Sequence, residues 1–215
     1  MKRYFIIGTD TDCGKTYVTC QLLDYFKHHH KRALAIKPVA SGCLMQDGQL
    51  VSDDVRHLQR HNPVPHQQIC QWLFKPPISP HLAAEQAGHY ISAQDIVNYC
   101  NNPAFVNTDY LLIETAGGLM SPINNHETWL DVLVLSKIPV IFVVGMRLGC
   151  LNHALLTASA LKTKNINCVG WIANCIDKDM LALPENIKTL TEKIKAPLLT
   201  TIAYAQGIEK FGELK

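Results

Sequence analysis

The chain has 215 residues, 47% hydrophobic and 18% charged, a size and balance that fit one domain with a large single core. Its formal net charge is +2 with no basic stripe, so nucleic acid is not implied. The start Met1-Lys2-Arg3 meets only four apolar residues, too few for a secretory segment, and the longest apolar run (138–146) is far short of a membrane span. A soluble, cytoplasmic protein is expected.

The run 4–7 predicts a buried strand, and it leads straight into Gly8-Thr9-Asp10-Thr11-Asp12-Cys13-Gly14-Lys15-Thr16. This is the pattern of a phosphate-binding loop. A Gly-rich turn between strand and helix aims backbone N–H groups at one spot, which is also the positive end of the helix dipole. Lys15 is placed to reach the β- and γ-phosphates and the Thr16 hydroxyl to sit on Mg²⁺. The strict spacing wants glycine at position 9; this chain has Thr9, with Gly8 one place early. The segment 16–28 continues as a helix, with apolar residues at 18, 22, 23, 25 and 26. It ends on His28-His29-His30, where a cation suits the dipole better than a metal site explains the run.

A second strand is predicted over 33–37, closing on Lys37 before Pro38-Val39-Ala40-Ser41-Gly42. A lysine at the end of a buried strand, then a hydroxyl in a turn, makes a poor core and a good anion site. Ser52-Asp53-Asp54 opens a helix over 53–61 and offers either a Mg²⁺ ligand or an N-cap. Asp53, His57 and His61 share one face of that helix, and with no fourth ligand evident they read as an exposed polar face. Residues 62–80, with Pro63, Pro65, Pro76, Pro77 and Pro80, predict a long irregular connection of the kind that often carries function. A helix is predicted over 92–100.

The third strand, 110–114, ends on Glu114 before Thr115-Ala116-Gly117-Gly118. A carboxylate there is where phosphate-loop proteins place a second Mg²⁺ anchor, and the glycine pair admits close backbone approach. A helix over 127–136 precedes the fourth strand, 140–144. The turn 145–153 then enters a helix over 152–163, whose N-terminus offers a second anion site suited to a carboxylate. The fifth strand, 168–173, is followed by Asn174, whose amide both donates and accepts and so matches the adenine edge, although alone it reads as a turn residue. A helix over 184–194 and a strand over 198–202 complete the pattern. The strands are continuously apolar, which fits burial on both faces. Their alternation with helices predicts an α/β fold: a doubly wound, mostly parallel sheet with helices on both faces, of the P-loop NTPase type, with ligands beyond the C-terminal strand ends.

Eight cysteines are scattered without zinc spacing and read as reduced thiols, several of them core filler. Cys13 stands apart. A thiol at a helix N-terminus is of the reactive kind, so Cys13 is expected to be sensitive to oxidation.

Six motifs in order carry a resemblance: 8–16, Lys37 to Gly42, Ser79-Pro80-His81, Glu114 to Gly118, Leu148 to His153 and Gly170-Trp171-Ile172-Ala173-Asn174. Together they resemble the dethiobiotin synthetase family over nearly the whole chain. The resemblance implies formation of a cyclic urea from 7,8-diaminononanoate, CO₂ and ATP with Mg²⁺, through a carbamate and a carbamic–phosphoric anhydride. It implies that Asp12, Cys13, Gly14, Lys15, Thr16 and Tyr17 bind phosphates, and that Glu114, Thr115, Ala116 and Gly117 border the nucleotide. Thr16, Asp54 and Glu114 would surround Mg²⁺; Lys37 and Ser41 would hold the carbamate, with Lys37 and Lys15 the catalytic cations. Asn174, Cys175, Ala203 and Tyr204 would contact adenine, and Gly149, Cys150, Leu151 and Asn152 the distal carboxylate across a homodimer interface.

The chain departs from the family pattern in places. Thr115 replaces a usual glycine and is expected to narrow the approach to the γ-phosphate. The extra acid at 53–54 is resolved by spacing in favour of Asp54, and 199–204 lacks the usual Gly and Pro. A partitioning-type ATPase switch is the alternative, but it carries a further lysine near the loop start, where this chain has Thr9 and Asp10. A corrin-amidating synthetase would need a glutaminase domain for which 215 residues leave no room. A non-catalytic relative is disfavoured by the complete set Lys15, Thr16, Lys37 and Glu114.

Overall fold

The structure is a computed structural model that describes residues 1–62 and 69–214. In chain order it runs β1 (Lys2–Gly8), α1 (Lys15–His28), β2 (Ala33–Ile36), β3 (Val39–Ala40), β4 (Leu44–Gln46), β5 (Gln49–Val51), α2 (Asp53–His61) and β6 (Trp72–Leu73). It continues with α3 (Pro80–Gln86), α4 (Ala93–Cys100), β7 (Tyr110–Glu114), α5 (Trp129–Ser136), β8 (Val140–Met146) and α6 (Cys150–Thr163). The last elements are β9 (Cys168–Cys175), α7 (Leu183–Lys193) and β10 (Leu198–Ile202).

Among the described residues, six strands form the main sheet in the order β10-β9-β8-β1-β7-β2. Every pairing in it is parallel. From β1 the chain moves out to β2 and fills in β7; it then crosses β1 to build β8, β9 and β10 on the other side. The reversal falls at β1, so the crevice beyond its C-terminal end is the natural ligand site. The six predicted strands are all present, as are the helices expected between them.

The continuous apolar runs have the meaning expected of them. Along β1, Phe5 and Ile7 pack into one core with Trp129, Phe142 and Trp171, under α4 to α7. Tyr4 and Ile6 point the other way, into a second core with Val18, Leu22, Leu58 and Ile141, under α1 and α2. Alternate residues serve opposite faces, so both faces are buried. Local signals set the helix starts: capping boxes join Ser92 to Asp95 and Thr128 to Asp131, and Pro80 opens α3.

Four short strands and α3 were not expected. β4 and β5 form an antiparallel hairpin across Asp47-Gly48, both at positive φ (50° and 77°), the turn for which an Asp-Gly pair is suited. β3 pairs in parallel with β6 through Val39↔Trp72 and Ala40↔Leu73. The connection expected to be irregular over 62–80 therefore contains a strand; its residues 63–68, with Pro63 and Pro65, lie outside the described residues. No helix among the described residues is long and apolar enough to cross a membrane.

β9 and β10 slip in register between Leu198 and Thr200, and Leu199 packs over Gly170 at that point. A Cβ on Gly170 would lie 2.4 Å from Leu199 Cγ. Gly170→Ala is expected to cost about 1–3 kcal/mol by overpacking. The check is a lower urea midpoint at unchanged m-value; an unaltered midpoint would show that Leu199 yields freely.

Candidate active site

The site is built where β1, β2 and β7 end together. β1 stops at Gly8, and the loop folds back so tightly that a Cβ on Gly8 would meet Cys13 Sγ at 2.3 Å. Gly14 turns the chain into α1 with φ +86°, and a Cβ there would meet Asn174 Nδ2 at 2.1 Å. Both glycines are thus demanded by the packing of the loop. Lys15 folds over the loop and its Nζ donates to the Asp10 carbonyl at 2.8 Å. The loop closes around its own lysine, which is the shape an anion can enter by taking that donor.

The parallel register of β2 and β7 aligns Ile36 with Ile113, so Lys37 and Glu114 emerge side by side. Lys37 Nζ lies 2.8 Å from Glu114 Oε1 and also pairs with Asp54 Oδ2 from the start of α2. The Thr16 hydroxyl lies 2.6 Å from Glu114 Oε1 and 3.0 Å from Asp54 Oδ1, and its single hydrogen serves one of them at a time. Glu114 is fully buried (0% exposed) and Lys37 nearly so. Burial pulls the Lys37 pKa down, but Glu114 and Asp54 more than offset it, and the ammonium is held above its ordinary value. Burial pushes Asp54 up, but Lys37, by charge and hydrogen bond, leaves its carboxyl below the ordinary value.

The second oxygen of Glu114, Oε2, is buried and has no hydrogen-bond partner among the described residues. A buried acceptor of this kind fits a hard cation. Thr16, Asp54 and Glu114 form the donor set a Mg²⁺ site uses when phosphate oxygens complete it. Among the described residues no group of three His, Cys, Asp or Glu converges. His61 instead pairs with Asp24 at 2.8 Å, and Asp53 turns outward to Arg56, so Asp53, His57 and His61 do not act together. His29 of the histidine run bonds the Tyr25 carbonyl.

A cavity of about 540 Å³ gathers many of the candidate residues. Asp12, Gly14, Lys15 and Thr16 line one side; Lys37, Ser41 and Asp54 another; Glu114, Ala116 and Gly117 a third. The sequence reading missed Thr11, Ser121 and the Pro77 to Pro80 segment, which also line it. Ser79 and Pro80 had been noticed only as part of a motif. A groove of about 520 Å³ shares Thr11 and Ser121 with the cavity and runs along Met120, Leu156 and Thr157.

Other candidates stand apart from the cavity. Thr115 does not narrow the approach to phosphate: its side chain is buried and its hydroxyl donates to the Ile6 carbonyl at 3.3 Å. The expectation for Cys13 is also corrected. Its thiol is fully buried beneath the loop, so mild oxidants have no surface from which to reach it. Burial pushes Cys20, Cys70 and Cys100 up to about 12, with nearby carboxylates adding to the effect at Cys20, as suits inert core thiols. Asn174 is buried and donates to the Cys13 carbonyl at 3.0 Å, which fixes the loop. Cys175 is buried beside it, while Ala203 and Tyr204 are exposed beyond β10. Tyr17 lies on the same side, its hydroxyl donating to the Gln206 carbonyl at 2.6 Å. Gly149 to Asn152 form the start of α6 and lie outside the cavity of this chain, although Arg147 just before them pairs with Asp10 of the loop.

A family described as an AAA domain matches residues 2–210. The ATP-dependent dethiobiotin synthetase BioD of Legionella pneumophila strain Corby is 52% identical over 208 residues, covering 97% of this chain and 96% of that one. The corresponding enzyme of Pseudoalteromonas translucida is 43% identical over 98% of this chain and 93% of its own. The chain belongs to the dethiobiotin synthetase family. A solved MinC:MinD cell division complex from Aquifex aeolicus aligns with TM-score 0.57 at 15% identity, covering 94% of this chain and 81% of that one. That likeness is one of fold, and it agrees with the P-loop NTPase architecture read from the phosphate loop and the alternation of strands and helices.

The Asp54 contact makes stability depend on pH. Asp54→Asn is expected to be less stable than wild type by about 1 kcal/mol near pH 7, a small value because the Asp54 side chain is half-exposed. The folded-state pKa of Asp54 lies below the ordinary 3.8, so this advantage of wild type is present above about pH 4 and fades as pH falls through the lowered value. Urea midpoints of both proteins at pH 7, 5 and 3 test it; a gap that widens toward pH 3 would contradict the assignment.

Proposed function

We propose that the chain is a cyclo-ligase that converts 7,8-diaminononanoate, CO₂ and ATP into dethiobiotin, ADP and phosphate. The observation that carries this reading is one cavity holding two lysines, Lys15 on the phosphate loop and Lys37 at the end of β2, in a member of this family. The reaction has to bring two anions together. One amine of the substrate adds to CO₂ to give a carbamate, and a carbamate oxygen attacks the γ-phosphorus as ADP leaves. The second amine then attacks the carbonyl carbon, the ring closes and phosphate departs.

Repulsion between carbamate and γ-phosphate is the physical obstacle. At an effective dielectric near 20, one unit charge pair about 4 Å apart is worth roughly 4 kcal/mol, or about a thousandfold in rate. Lys15, with backbone N–H groups of the loop from Asp12 to Tyr17, binds the phosphates. Lys37 holds the carbamate with the Ser41 hydroxyl beside it, and two of its three donors are already aimed by Glu114 and Asp54. Mg²⁺, held by Thr16, Asp54 and Glu114, would neutralise phosphate charge. Ala116 and Gly117 border the nucleotide, and Asn174, Cys175, Ala203 and Tyr204 flank adenine on the far side of the loop.

We assign the distal carboxylate to Gly149, Cys150, Leu151 and Asn152 at the start of α6, reached across a homodimer interface. Two features support this. The turn lies outside the cavity of its own chain, and Leu148 beside it is 96% exposed, as are in part Met120 and Leu156, which line the groove adjoining that cavity. The reading takes residues 1–215 as one synthetase domain acting in the cytoplasm.

Phosphate release from ATP with Mg²⁺ and bicarbonate is expected to depend strictly on diaminononanoate. Hydrolysis without the diamine would favour a partitioning-type switch. Lys37→Gln is expected to lose at least ~100-fold in turnover; near-normal kcat in that variant would remove Lys37 from the chemistry.

A further inference from the structure

Asp10 is committed on every side. Its Oδ1 accepts from the Thr9 hydroxyl at 2.7 Å, its Oδ2 accepts from Arg147 Nη2, and its carbonyl accepts from Lys15 at 2.8 Å. Arg147 is committed as well. Its carbonyl accepts from the Cys150 amide at 3.0 Å, and Gly149 follows at φ +91°, closing the turn that starts α6. Among the described residues Asp10 is the acid that Arg147 pairs with. One ion pair therefore connects the lysine of the phosphate loop to the turn whose amides open α6.

β8 is held in the sheet through Met146, opposite Cys175 of β9, and the turn begins at the next residue. A Cβ on Gly145 would meet Cys13 Cα at 2.8 Å, so backbone lies directly on backbone there. The strand is therefore fixed, and what a side chain can still direct is the turn that leaves it. A charged side-chain bridge from Arg147, the first residue past the strand, ties the start of that turn to the phosphate loop. The pair is only part-buried, with side-chain exposures of 42% for Arg147 and 26% for Asp10, so its effect is geometric more than one of global stability.

We infer that the Asp10–Arg147 pair is a positioning device that orients the 147–152 turn on the body of its own chain and thereby sets how that turn, presented across the dimer interface, selects a substrate ending in a carboxylate. This rests on the proposed assignment of the turn to the distal carboxylate. A long substrate with one anion in the cavity of one chain and the other on the turn of the second chain binds well only when that turn keeps its direction. A small misplacement of one site weakens binding of the whole chain without altering the groups that react. Arg147 and Asp10 act here through the turn and the loop, as positioning residues.

The test compares wild type, Arg147→Met and Arg147→Lys on two substrates: 7,8-diaminononanoate and 2,3-diaminononane, which has a methyl group where the carboxylate was. For diaminononanoate, Arg147→Met is expected to raise KM about tenfold while kcat falls less than about threefold. On 2,3-diaminononane it should match wild type, since there is no carboxylate to place. Arg147→Lys keeps a donor for the one oxygen that Arg147 meets and should bring KM back to within about threefold of wild type. ATP affinity, by equilibrium dialysis, should stay within about twofold in all three. Equal losses on both substrates, an unchanged KM for diaminononanoate, or a loss of ATP affinity in Arg147→Met would each overturn the inference. Wild type that releases no phosphate with diaminononanoate would overturn the proposed function and this inference with it; active wild type with an unchanged variant KM would overturn the inference alone.

Discussion

The structure depends on one buried charge. Glu114 closes β7 with no exposure to solvent, and a lone carboxylate there would cost several kcal/mol. Lys37 answers it from the neighbouring strand at 2.8 Å, and the sheet itself makes that meeting possible. With Ile36 opposite Ile113 in a parallel pairing, the next residues on β2 and β7 leave the sheet together. A slip of one residue would turn either side chain to the other face. The hydrophobic pattern that sets the register is therefore also what assembles the ionic centre. The core and the site are one construction.

The phosphate loop is held in a similar way, by contacts that cross between elements. Asn174 at the end of β9 holds the Cys13 carbonyl, and the lack of a side chain at Gly14 gives that amide its place. Asp10 receives Lys15 on one side and Arg147 on the other. The loop that must bind a nucleotide thus leans on β9 and on the turn after β8 as well as on β1. Ligand sites at the C-terminal edge of such sheets gain their precision from this arrangement, because each loop is anchored to a strand whose position the core has already determined.

Much of this was legible in the amino-acid order. Apolar runs at 4–7, 110–114 and 140–144 marked the strands because burial on both faces leaves no polar alternation to confuse the reading. Lys37 and Glu114 stood out because charges at the ends of apolar segments are costly unless they are used, whereas Asp54 came from a helix start and the family spacing. The short strands were harder. β3 and β6 have two residues each, too few for any period, and their pairing joins segments that nothing local connects. The hairpin of β4 and β5 was readable from Asp47-Gly48, a signal overlooked beside the motifs around it. Thr115 and Cys13 were misjudged for a common reason: position in a motif says which residues are near the ligand but not which way their side chains turn. Thr115 turns its hydroxyl onto the β1 backbone, and Cys13 sits under the loop.

The centre reconciles two demands that usually conflict. A lysine useful to an anion should be reachable, and a lysine that neutralises a buried carboxylate should be enclosed. On the reading proposed for this site Lys37 serves both, because an ammonium has three donors and its position at a strand end divides them. Glu114 and Asp54 take two, which hold the charge on the nitrogen and fix its location. Lys37 lines the cavity, so on that reading its remaining donor is the one left for an incoming anion. In the proposed reaction this would keep reorganisation small, the condition under which a preformed charge contributes most to a transition state. The acids that make the protein costly to fold at this point are the same groups that keep its cation aimed.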